Sequence, residues 1–372
     1  MAVITYKCPN CGGDLRFDPD SQKHRCEYCR SLFTREELDA IMGEKDSEAA
    51  SELETERSQK PDPQQTDEAA AGAENEAENG TDTAVLYNCP SCGAEIVTDE
   101  NTVATFCYYC HNPVVLSGRM QGEYHPDYVL PFAVDREKAL DIFDQWIGKK
   151  KYIPKAFYAK DQIEKMTGVY FPYWLYSCQV DGKLDAEGVK RKIWTSGNTQ
   201  YTQTQKYDVS REGQMQVDHV TRNALSKANR KLVEGVLPFD MEKLQPFSMS
   251  YLSGFMAEKR DMEEDKFQIA VRQEVKDFAG NALRAGVSGY DALQVRQQNT
   301  ELRDEKWDYA LMPVWTLTYR DPKQDKVYYF ACNGQTGKVC GELPVDMGRL
   351  MMLFASISVP VFLVLLIVGY FL

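Results

Sequence analysis

Residues 8–29 read CPNCGGDLRFDPDSQKHRCEYC, and residues 89–110 read CPSCGAEIVTDENTVATFCYYC. The cysteines of the second stretch are those of the first displaced by 81 positions. Each stretch has two Cys-x2-Cys pairs separated by fourteen residues, the spacing of a four-thiolate zinc site in which a small hairpin brings two knuckles together. The pattern predicts two small β zinc ribbons, at residues 1–39 and 85–118, with these metal ligands: Cys8, Cys11, Cys26, Cys29, Cys89, Cys92, Cys107 and Cys110.

The residues around the cysteines agree with a metal site. Gly12 and Gly93 each follow the second ligand of a stretch, where a positive φ lets the chain turn and direct amide protons at sulfur. Because four thiolates close a tetrahedron, we expect two structural zinc ions and no catalytic metal. His24 and His111 lie beside ligand cysteines and are predicted to be surface residues. The alternative is two disulfides in each stretch, which requires an oxidising compartment.

The segment between the ribbons carries most of the net charge. The chain has 372 residues, of which 43 are basic and 56 acidic, and its formal net charge is −13. Residues 44–83 hold 13 acids and 3 bases, and Leu53 is their one large apolar residue. Such a segment buries too little apolar surface to offset its ordering entropy, so residues 40–84 are predicted to be an acidic disordered linker. A solvated helix through the Glu/Ala-rich part is the alternative.

The last residues form an uncharged apolar run. Residues 350–372 read LMMLFASISVPVFLVLLIVGYFL, which as a helix spans roughly 34 Å and can cross a bilayer once. Pro360 is tolerated in a membrane span. We therefore expect residues 347–372 to be a transmembrane tail anchor. The first ten residues lack the pattern of a cleaved signal, and reduced thiolates imply a cytosolic body, so the predicted location is the cytoplasmic (inner) membrane.

Residues 119–346 alternate between helical and extended patterns and are predicted to form an α+β body with antiparallel sheets. Asp135 precedes a run whose apolar residues share one helical face, which predicts a capped helix. Asp261 and Glu264 resemble a capping box ahead of a second apolar stripe, which runs from Phe267 through Phe278 to Ala282. Such stripes pack in cores far more often than they form sites.

Aromatic-rich stretches of the body predict antiparallel hairpins. The predicted strands are residues 169–176, followed by a turn at Asp181-Gly182, and residues 315–319, which pair with residues 327–331. Two short motifs recur in the same order: Val-Leu-Pro-Phe at residues 129–132 and 236–239, and Pro-x-Trp at residues 172–174 and 313–315. They suggest an ancient duplication whose halves are residues 119–234 and 235–346.

The body offers little that indicates enzyme chemistry. The sequence has no GxSxG, Walker-type loop, GxGxxG or HExxH, so no catalytic residue is assigned. His219 beside Asp218 is the one histidine of interest, and a lone histidine is more often structural than catalytic. Cys178, Cys332 and Cys340 have no assigned role. Two basic clusters, residues 149–151 and 190–192, are predicted to be solvated, although either could face anionic lipid headgroups.

The order of these parts resembles a bacterial family of membrane-anchored zinc-ribbon proteins. The resemblance is carried by CPxCG with CxYC in both ribbons, the acidic spacer, Pro-x-Trp, the stretch NGQTGKV at residues 333–339 and the membrane segment. Members are often labelled TFIIB-type zinc-ribbon proteins or, from the cysteines alone, primosomal helicase; no helicase motif is present here. The resemblance implies partners among phage-shock-protein-A-like and SPFH-domain membrane-stress proteins, and a role as membrane recruiter.

The expected function is therefore that of a non-enzymatic scaffold whose two ribbons, on their acidic tether, capture a cytosolic partner at the membrane. The alternative is a membrane-tethered nucleic-acid-binding protein, which uses the ribbons and the lysine clusters. An acidic net charge and ribbons without basic patches disfavour that alternative. A third hypothesis, an enzyme, requires a deep pocket lined by His219.

Overall fold

Two strands of 30 residues each run side by side through the body in the computed structural model of the chain, β9 (Thr167–Ser196) and β13 (Ala292–Asp321). They pair antiparallel along nearly their whole lengths. Their inner parts are rich in aromatic and β-branched residues, which favour strands, and these parts are buried. Their outer parts are polar and charged, and for that reason the sequence predicted shorter strands.

The structure describes residues 5–40, 85–89, 92–107, 110, 112–116, 119–120, 122–150, 152–321 and 326–371. The predicted linker beyond residue 40 and His111 lie outside these residues. The other strands are β1 (Leu15–Asp18), β2 (Lys23–Cys26), β3 (Leu32–Phe33), β4 (Val85–Asn88), β5 (Glu95–Thr98), β6 (Thr102–Phe106), β7 (Pro113–Val115), β8 (Tyr128–Val129), β10 (Thr199–Asn223), β11 (Gln245–Pro246), β12 (Met256–Glu258), β14 (Lys326–Asn333) and β15 (Val339–Glu342). The helices are α1 (residues 35–40), α2 (Arg136–Gly148), α3 (Lys160–Ile163), α4 (Arg230–Gly235), α5 (Asp265–Ala285) and α6 (Met347–Phe371).

The predicted fold class is confirmed: two cysteine-bearing β units, a mixed α and β body with antiparallel sheet, and one C-terminal apolar helix. The strand order of the large sheet is β11-β8-β13-β9-β12-β6-β7, with β10 beside β9, β14 beside β13 and β15 beside β14. Within the described residues of this sheet, β8 runs parallel to β13 and β12 runs parallel to β9, and the other pairs are antiparallel. Strands β1, β2 and β3 form a separate small sheet, and β4 and β5 another.

The centre of the large sheet has approximate two-fold symmetry about the pair formed by Phe171 and Met312. On one side, β12 lies parallel to β9 with Met256 opposite Val169. On the other, β8 lies parallel to β13 with Tyr128 opposite Ala310. Val169 lies two residues before Phe171, and Ala310 lies two residues before Met312, so the two short strands occupy equivalent positions.

The tryptophans of the two Pro-x-Trp motifs obey the same symmetry. The indole N–H of Trp174 donates to the Met262 carbonyl at 2.9 Å, and that of Trp315 donates to the Val134 carbonyl at 2.8 Å. Each acceptor lies six residues after the first residue of a short parallel strand, β12 or β8. Each indole therefore donates a hydrogen bond to the half of the body that does not contain it, where the two halves, or units, are residues 119–234 and 235–346. This arrangement is what a duplication predicts, and the duplication itself stays a prediction.

The symmetry corrects one pairing drawn from the sequence. The counterpart of the strand that contains Val129 is β12, which contains Ala257, and not the stretch at residues 236–239. Val236 instead caps the C-terminus of α4. The recurrence of Val-Leu-Pro-Phe is therefore not a recurrence of structure. The true counterpart of Phe132 is Arg260. Phe132 packs on the ring of Trp315, and the Arg260 guanidinium lies in the equivalent position, 4.9 Å from the ring of Trp174.

The predicted helices are present, but one predicted cap is wrong. Asp135 accepts a hydrogen bond from the Lys138 amide at 2.7 Å and caps α2, as expected. Helix α5 begins at Asp265 without a side-chain cap. Asp261 instead accepts hydrogen bonds from the amide and hydroxyl of Ser226, on the segment that precedes α4. Phe278, predicted to belong to the buried stripe of α5, is 63% exposed.

The predicted turn at Asp181-Gly182 is also wrong. Strand β9 continues through both residues, and the hairpin to β10 turns at Gly197, where φ is +59°. Gly182 is needed for a different reason: a Cβ at this position would lie 2.7 Å from Leu283 of α5, so glycine lets the helix approach the sheet closely. The hairpin of β13 and β14 was predicted correctly and pairs Trp315 with Cys332.

Candidate metal centres and interaction surface

The same backbone turn positions the cysteines of both ribbons. Gly12 has a φ of +74°, and its amide donates to the Cys8 carbonyl at 2.8 Å. Gly93 also has a φ of +74°, and its amide donates to the Cys89 carbonyl at 2.8 Å. A side chain disfavours this conformation, which explains the glycine that follows each of these knuckles. The turn brings the two cysteines of a pair to the same side of the chain.

The four Sγ atoms of each ribbon lie within 4.8 Å of one another. The closest pairs are Cys8–Cys29 at 3.5 Å, Cys11–Cys26 at 3.4 Å, Cys89–Cys110 at 3.7 Å and Cys92–Cys107 at 3.7 Å. A tetrahedral zinc ion with sulfur ligands at ~2.3 Å places them about 3.8 Å apart. A disulfide needs about 2.05 Å. The geometry therefore fits two sites that could each hold a metal ion, and all eight thiols are free.

The thiols at the fourth position of each cluster, Cys29 and Cys110, differ in their electrostatic surroundings. Hydrogen bonds with the hydroxyl and amide of Ser31 lower the pKa of Cys29 to about 6. Burial raises the pKa of Cys110 to about 12. A metal cation binds the thiolate, so it favours deprotonation at both positions. The thiolate-rich donor set is one that zinc prefers, and with four sulfurs in each cluster no position is left for a reacting water.

His24 is buried against the body rather than lying at the surface as predicted. The residue is 1% exposed, and its Nε2 lies 2.9 Å from the carbonyl oxygen of Ser250. Its ring packs edge-on against Phe17 at 5.5 Å. Burial lowers the pKa of His24, so the neutral imidazole is favoured. Because successive side chains of β2 point to opposite faces, His24 shares a face with Cys26. The sequence did not show that the body covers this face.

The first ribbon is bonded to the body through its backbone. The Phe17 amide donates to the Ser253 carbonyl at 3.0 Å, and the Ser253 hydroxyl donates to the Leu15 carbonyl at 2.5 Å. The side-chain amide of Gln22 donates to the Phe132 carbonyl at 2.8 Å. The backbone groups on the edge of β1 that faces away from β2 therefore form hydrogen bonds with the body. These contacts hold the first ribbon against the body, and its role as a docking module stays a prediction.

The second ribbon is continuous with the large sheet. Its strand β6 pairs with β12, where Ala104 lies opposite Ala257. The Lys227 ammonium forms ion pairs with Asp99 of the ribbon and, at 3.0 Å, with Glu258 of β12. Ion pairing and hydrogen bonds from Thr102 outweigh burial, so the pKa of Asp99 is lowered. Within the described residues, both ribbons and their cysteine clusters are therefore held against the body by strand pairing, ion pairs and hydrogen bonds.

The other residues singled out in the sequence do not form a site. His219 lies at a β-bulge with a φ of +56°, and its amide donates to the Ser177 hydroxyl at 3.1 Å. Cys178 and Cys332 are buried, and Cys340 is half-buried. Burial raises the pKa of the Cys332 thiol to about 12, as expected of a small apolar core residue. An open cleft of about 850 Å³ near β10 is lined by residues that do not include His219.

The sequence missed a long exposed arm. We define the arm as the outer parts of β9, β10 and β13, residues 181–213 and 292–303, which pair side by side. Every residue from Lys190 to Asp208 is exposed. Helix α5 covers one face of the arm as far as Leu283, which packs over Gly182, and Tyr290 then lies over Gly188. Beyond that point the same face continues without a helix above it.

The uncovered part of this face is aromatic and basic. Strand alternation and register place the following residues on it, which we call the tip face: Lys190, Lys192, Trp194, Ser196, Thr199, Tyr201, Gln203, Gln205 and Tyr207. The rings of Trp194 and Tyr201 stack at 5.6 Å with 13° between their planes. Lys190 lies over the rings of Tyr207 and Tyr290 at 5.6 and 5.5 Å. The tip face contains no acidic residue.

Helix α6 begins at the opposite end of β13. Thr318 near the end of β13 pairs with Tyr329, which pairs with Glu342 of β15, five residues before α6 begins. Among the described residues, α6 is the one helix long and apolar enough to cross a membrane, at Met347–Gly369. Its side chains are not buried inside the protein. The helix is therefore compatible with the predicted single-pass anchoring.

Comparison with known proteins gives one relative of the whole chain. The uncharacterized protein YdjG of Bacillus subtilis is 26% identical over 367 residues, which cover 99% of this chain and 98% of that protein. No family model matches the sequence, and no solved structure matches it. The similarity extends through both ribbons, the body and α6. The name of that relative states no function.

Proposed function

We propose that the protein is a non-enzymatic zinc-ribbon scaffold, anchored by α6 in the inner membrane of a bacterial cell, which recruits a cytosolic protein in a membrane stress response. One observation carries this proposal: the membrane helix and the tip face lie at opposite ends of β13. A scaffold of this kind needs an anchor at one end and an accessible binding surface at the other.

The length of the strand supports this arrangement. About 85 Å of strand, at ~3.3 Å per residue, separates Ala292 from Thr318. Ala292 lies beside the tip face, and Thr318 lies near the end of β13 from which the chain leads to α6. The arm therefore extends away from the end that α6 enters. The tip face therefore lies far from the start of α6 along the strands, and its side chains are exposed to solvent.

The two metal centres support a cytosolic location and a structural role. Free thiols in two four-cysteine clusters persist in a reducing compartment, where disulfides are rare. Four thiolates around zinc leave no open position for catalysis. Because both ribbons pack on the body, we assign partner capture to the tip face and not to the ribbons. This changes the expected mechanism but keeps the scaffold role.

The chemistry of the tip face fits a protein with acidic groups near an apolar patch. Trp194 and Tyr201 offer a rigid, exposed stack of the kind enriched in binding hot spots. Lys190 and Lys192 add positive charge to the same face, next to Asp291, whose carboxylate accepts a hydrogen bond from the Arg191 amide. Phage-shock-protein-A-like and SPFH-domain proteins, implied as partners by the family resemblance, are the candidates to test.

The experiment uses the full-length chain co-expressed with a phage-shock-protein-A-like protein in bacterial membranes. A photo-crosslinking amino acid replaces Gln203 on the tip face or, as the matched control, Thr204 on the opposite face of the same strand. We expect crosslinks to the partner from position 203 and few from position 204. The double variant Trp194→Ala with Tyr201→Ala should capture at least tenfold less partner, because exposed aromatic pairs act as hot spots.

Phe278→Ala, at an exposed apolar residue of α5, serves as the control variant and should capture the partner normally. Equal crosslinking from both faces of the arm would contradict the proposal. So would normal capture by the double variant. A chain that ends at residue 346 should leave the membrane fraction, which tests the anchor independently of the partner.

Nucleic-acid binding is the second candidate, and the same tip face favours it. Two lysines and three aromatic side chains lie close together there, as in surfaces that stack single-stranded bases. A gel shift with single-stranded DNA and RNA at several salt concentrations separates the two functions. Recruitment of a protein predicts no shift near physiological salt, whereas nucleic-acid binding predicts a shift that weakens steeply as salt rises.

A further inference from the structure

The membrane end of the body carries a cleft with both apolar and cationic walls. The cleft has a volume of about 450 Å³, and the residues that line it include Ile147, Lys150, Tyr152, Ile153, Tyr158 and Arg349. These residues come from the end of α2, the segment after it and the first turn of α6. The tip face and this cleft therefore belong to different ends of the molecule.

Hydrogen bonds fix the cleft beside the start of α6. The Asp346 amide donates to the Tyr152 carbonyl at 2.7 Å. Asp346 in turn accepts from the Arg349 amide at 3.1 Å and so caps the first turn of α6. Tyr152 has a φ of +63°, a conformation that non-glycine residues rarely adopt. Its carbonyl in this conformation is the acceptor for the Asp346 amide. The cleft is thus held where the apolar span begins.

Two elements bring positive charge to this position. Lys149 and Lys150 follow α2 and are exposed, and neither forms an ion pair within the described residues. Arg349 approaches from α6, and its Nε lies 3.3 Å from Asp346. Lysines at the C-terminal end of a helix are favourable without any ligand. That explanation does not extend to Arg349, which belongs to another element and lines the same cleft.

We propose that this cleft binds an anionic phospholipid of the membrane that α6 crosses. Lys150 and Arg349 contact the headgroup phosphate, and the side chains of Ile147, Ile153 and Tyr158 contact the glycerol and the first acyl carbons. The inference depends on the membrane anchoring of α6 but not on the recruitment of a partner at the tip face.

The composition of the walls favours a lipid over a free anion. A site for inorganic phosphate is small and built of hydrogen-bond donors, whereas this cleft has two isoleucines and two tyrosines beside its cations. Basic residues beside a membrane span attract anionic headgroups, and their effect falls off within a short distance of the surface. The position next to the first turn of α6 keeps both cations within that distance.

The test uses the purified full-length chain in a neutral detergent. Dioctanoyl phosphatidylglycerol, dioctanoyl phosphatidylcholine and inorganic phosphate are titrated separately, and binding is followed by native mass spectrometry and by the rise in the midpoint of thermal unfolding. We expect saturable binding of phosphatidylglycerol. Lys150→Ala and Arg349→Ala should each weaken it by about fivefold. Lys150→Arg should retain it.

Lys266→Ala is the matched control, because Lys266 is an exposed lysine of α5 without an ion pair in the described part of the chain. Each variant is compared without lipid first, so that a folding defect is separated from lost binding. Equal binding of phosphatidylcholine, or displacement of phosphatidylglycerol by inorganic phosphate at similar concentration, would overturn the proposal. Unchanged affinity in both cleft variants, or the same loss in Lys266→Ala, would also overturn it. Failure of partner capture at the tip would leave this result unaffected.

Discussion

Each metal centre takes two sulfurs from each of two knuckles, so the loss of one thiol leaves an incomplete site. We expect the purified chain to contain two zinc ions. Cys29→Ser and Cys110→Ser should each reduce this to about one and lower the midpoint of thermal unfolding, because structural zinc contributes directly to folding. Elemental analysis measures the zinc. Cys340→Ser, outside both clusters, should keep both ions, and two ions in the Cys29 variant would refute the assignment.

Asp135 gives a second prediction for a single residue. Asp135→Ala should lower the free energy of unfolding by about 1 kcal/mol through loss of the cap of α2, whereas Asp135→Asn should retain most of it. Burial raises the pKa of Asp135, but the Lys138 amide and ammonium lower it further, and the net shift is downward.

The sign of its pH dependence follows from that shift. A carboxyl group with a lowered pKa in the folded state contributes stability above its ordinary pKa of about 3.9, and this contribution is lost as the pH falls through the lowered value. The difference in stability between the wild type and Asp135→Asn should therefore shrink as the pH falls from 5 toward 2. Denaturant unfolding at several pH values measures it, and a constant difference would contradict the assignment.

At the scale of elements, the close packing of α5 on the arm leaves no room for a side chain at Gly182. Gly182→Val should lower the free energy of unfolding by about 1–3 kcal/mol, because its side chain meets Leu283. Gly213 lies directly opposite Gly182 on β10, and a Cβ there would have no neighbouring atom within 4 Å, so Gly213→Val is the matched control and should cost little. Similar losses in both variants would show that strand conformation, and not contact with the helix, is responsible.

The elements that the sequence predicted correctly are those with local signals. The cysteine spacing, the cap at Asp135, the hairpin after Trp315 and the apolar run of α6 each depend on residues that are near one another in the chain. The length of the arm has no such signal, because its outer residues are polar and are supported by strands far apart in sequence. The burial of His24 likewise depends on Ser250, more than two hundred positions away.

At the scale of the whole molecule, the approximate two-fold symmetry predicts that two distant tryptophans, Trp174 and Trp315, contribute similarly to stability. Trp174→Phe and Trp315→Phe each remove one indole hydrogen bond to the other unit. Both residues are buried, so each change should lower the free energy of unfolding by about 1–2 kcal/mol. Trp194→Phe at the exposed tip should be nearly neutral. A large loss in one buried variant and none in the other would show that the symmetry has no energetic counterpart.

The two units could not be recognised fully from sequence, because their equivalent residues have different chemistry. Phe132 packs on Trp315 in one unit, while the Arg260 guanidinium packs on Trp174 in the other. Pro-x-Trp is kept in both, and so is an asparagine on the neighbouring strand, Asn223 opposite Tyr173 and Asn333 opposite Val314. The motif that looked more convincing, Val-Leu-Pro-Phe, recurs at positions that the fold does not relate.

The antiparallel pairing of β9 and β13 has a mechanical consequence. If a large object held at the tip is pulled while α6 stays in the bilayer, the force runs along these strands rather than across them. The hydrogen bonds between the strands are then loaded together in shear and not opened one at a time. The arm would therefore resist a load along its length better than a load that peels its strands apart.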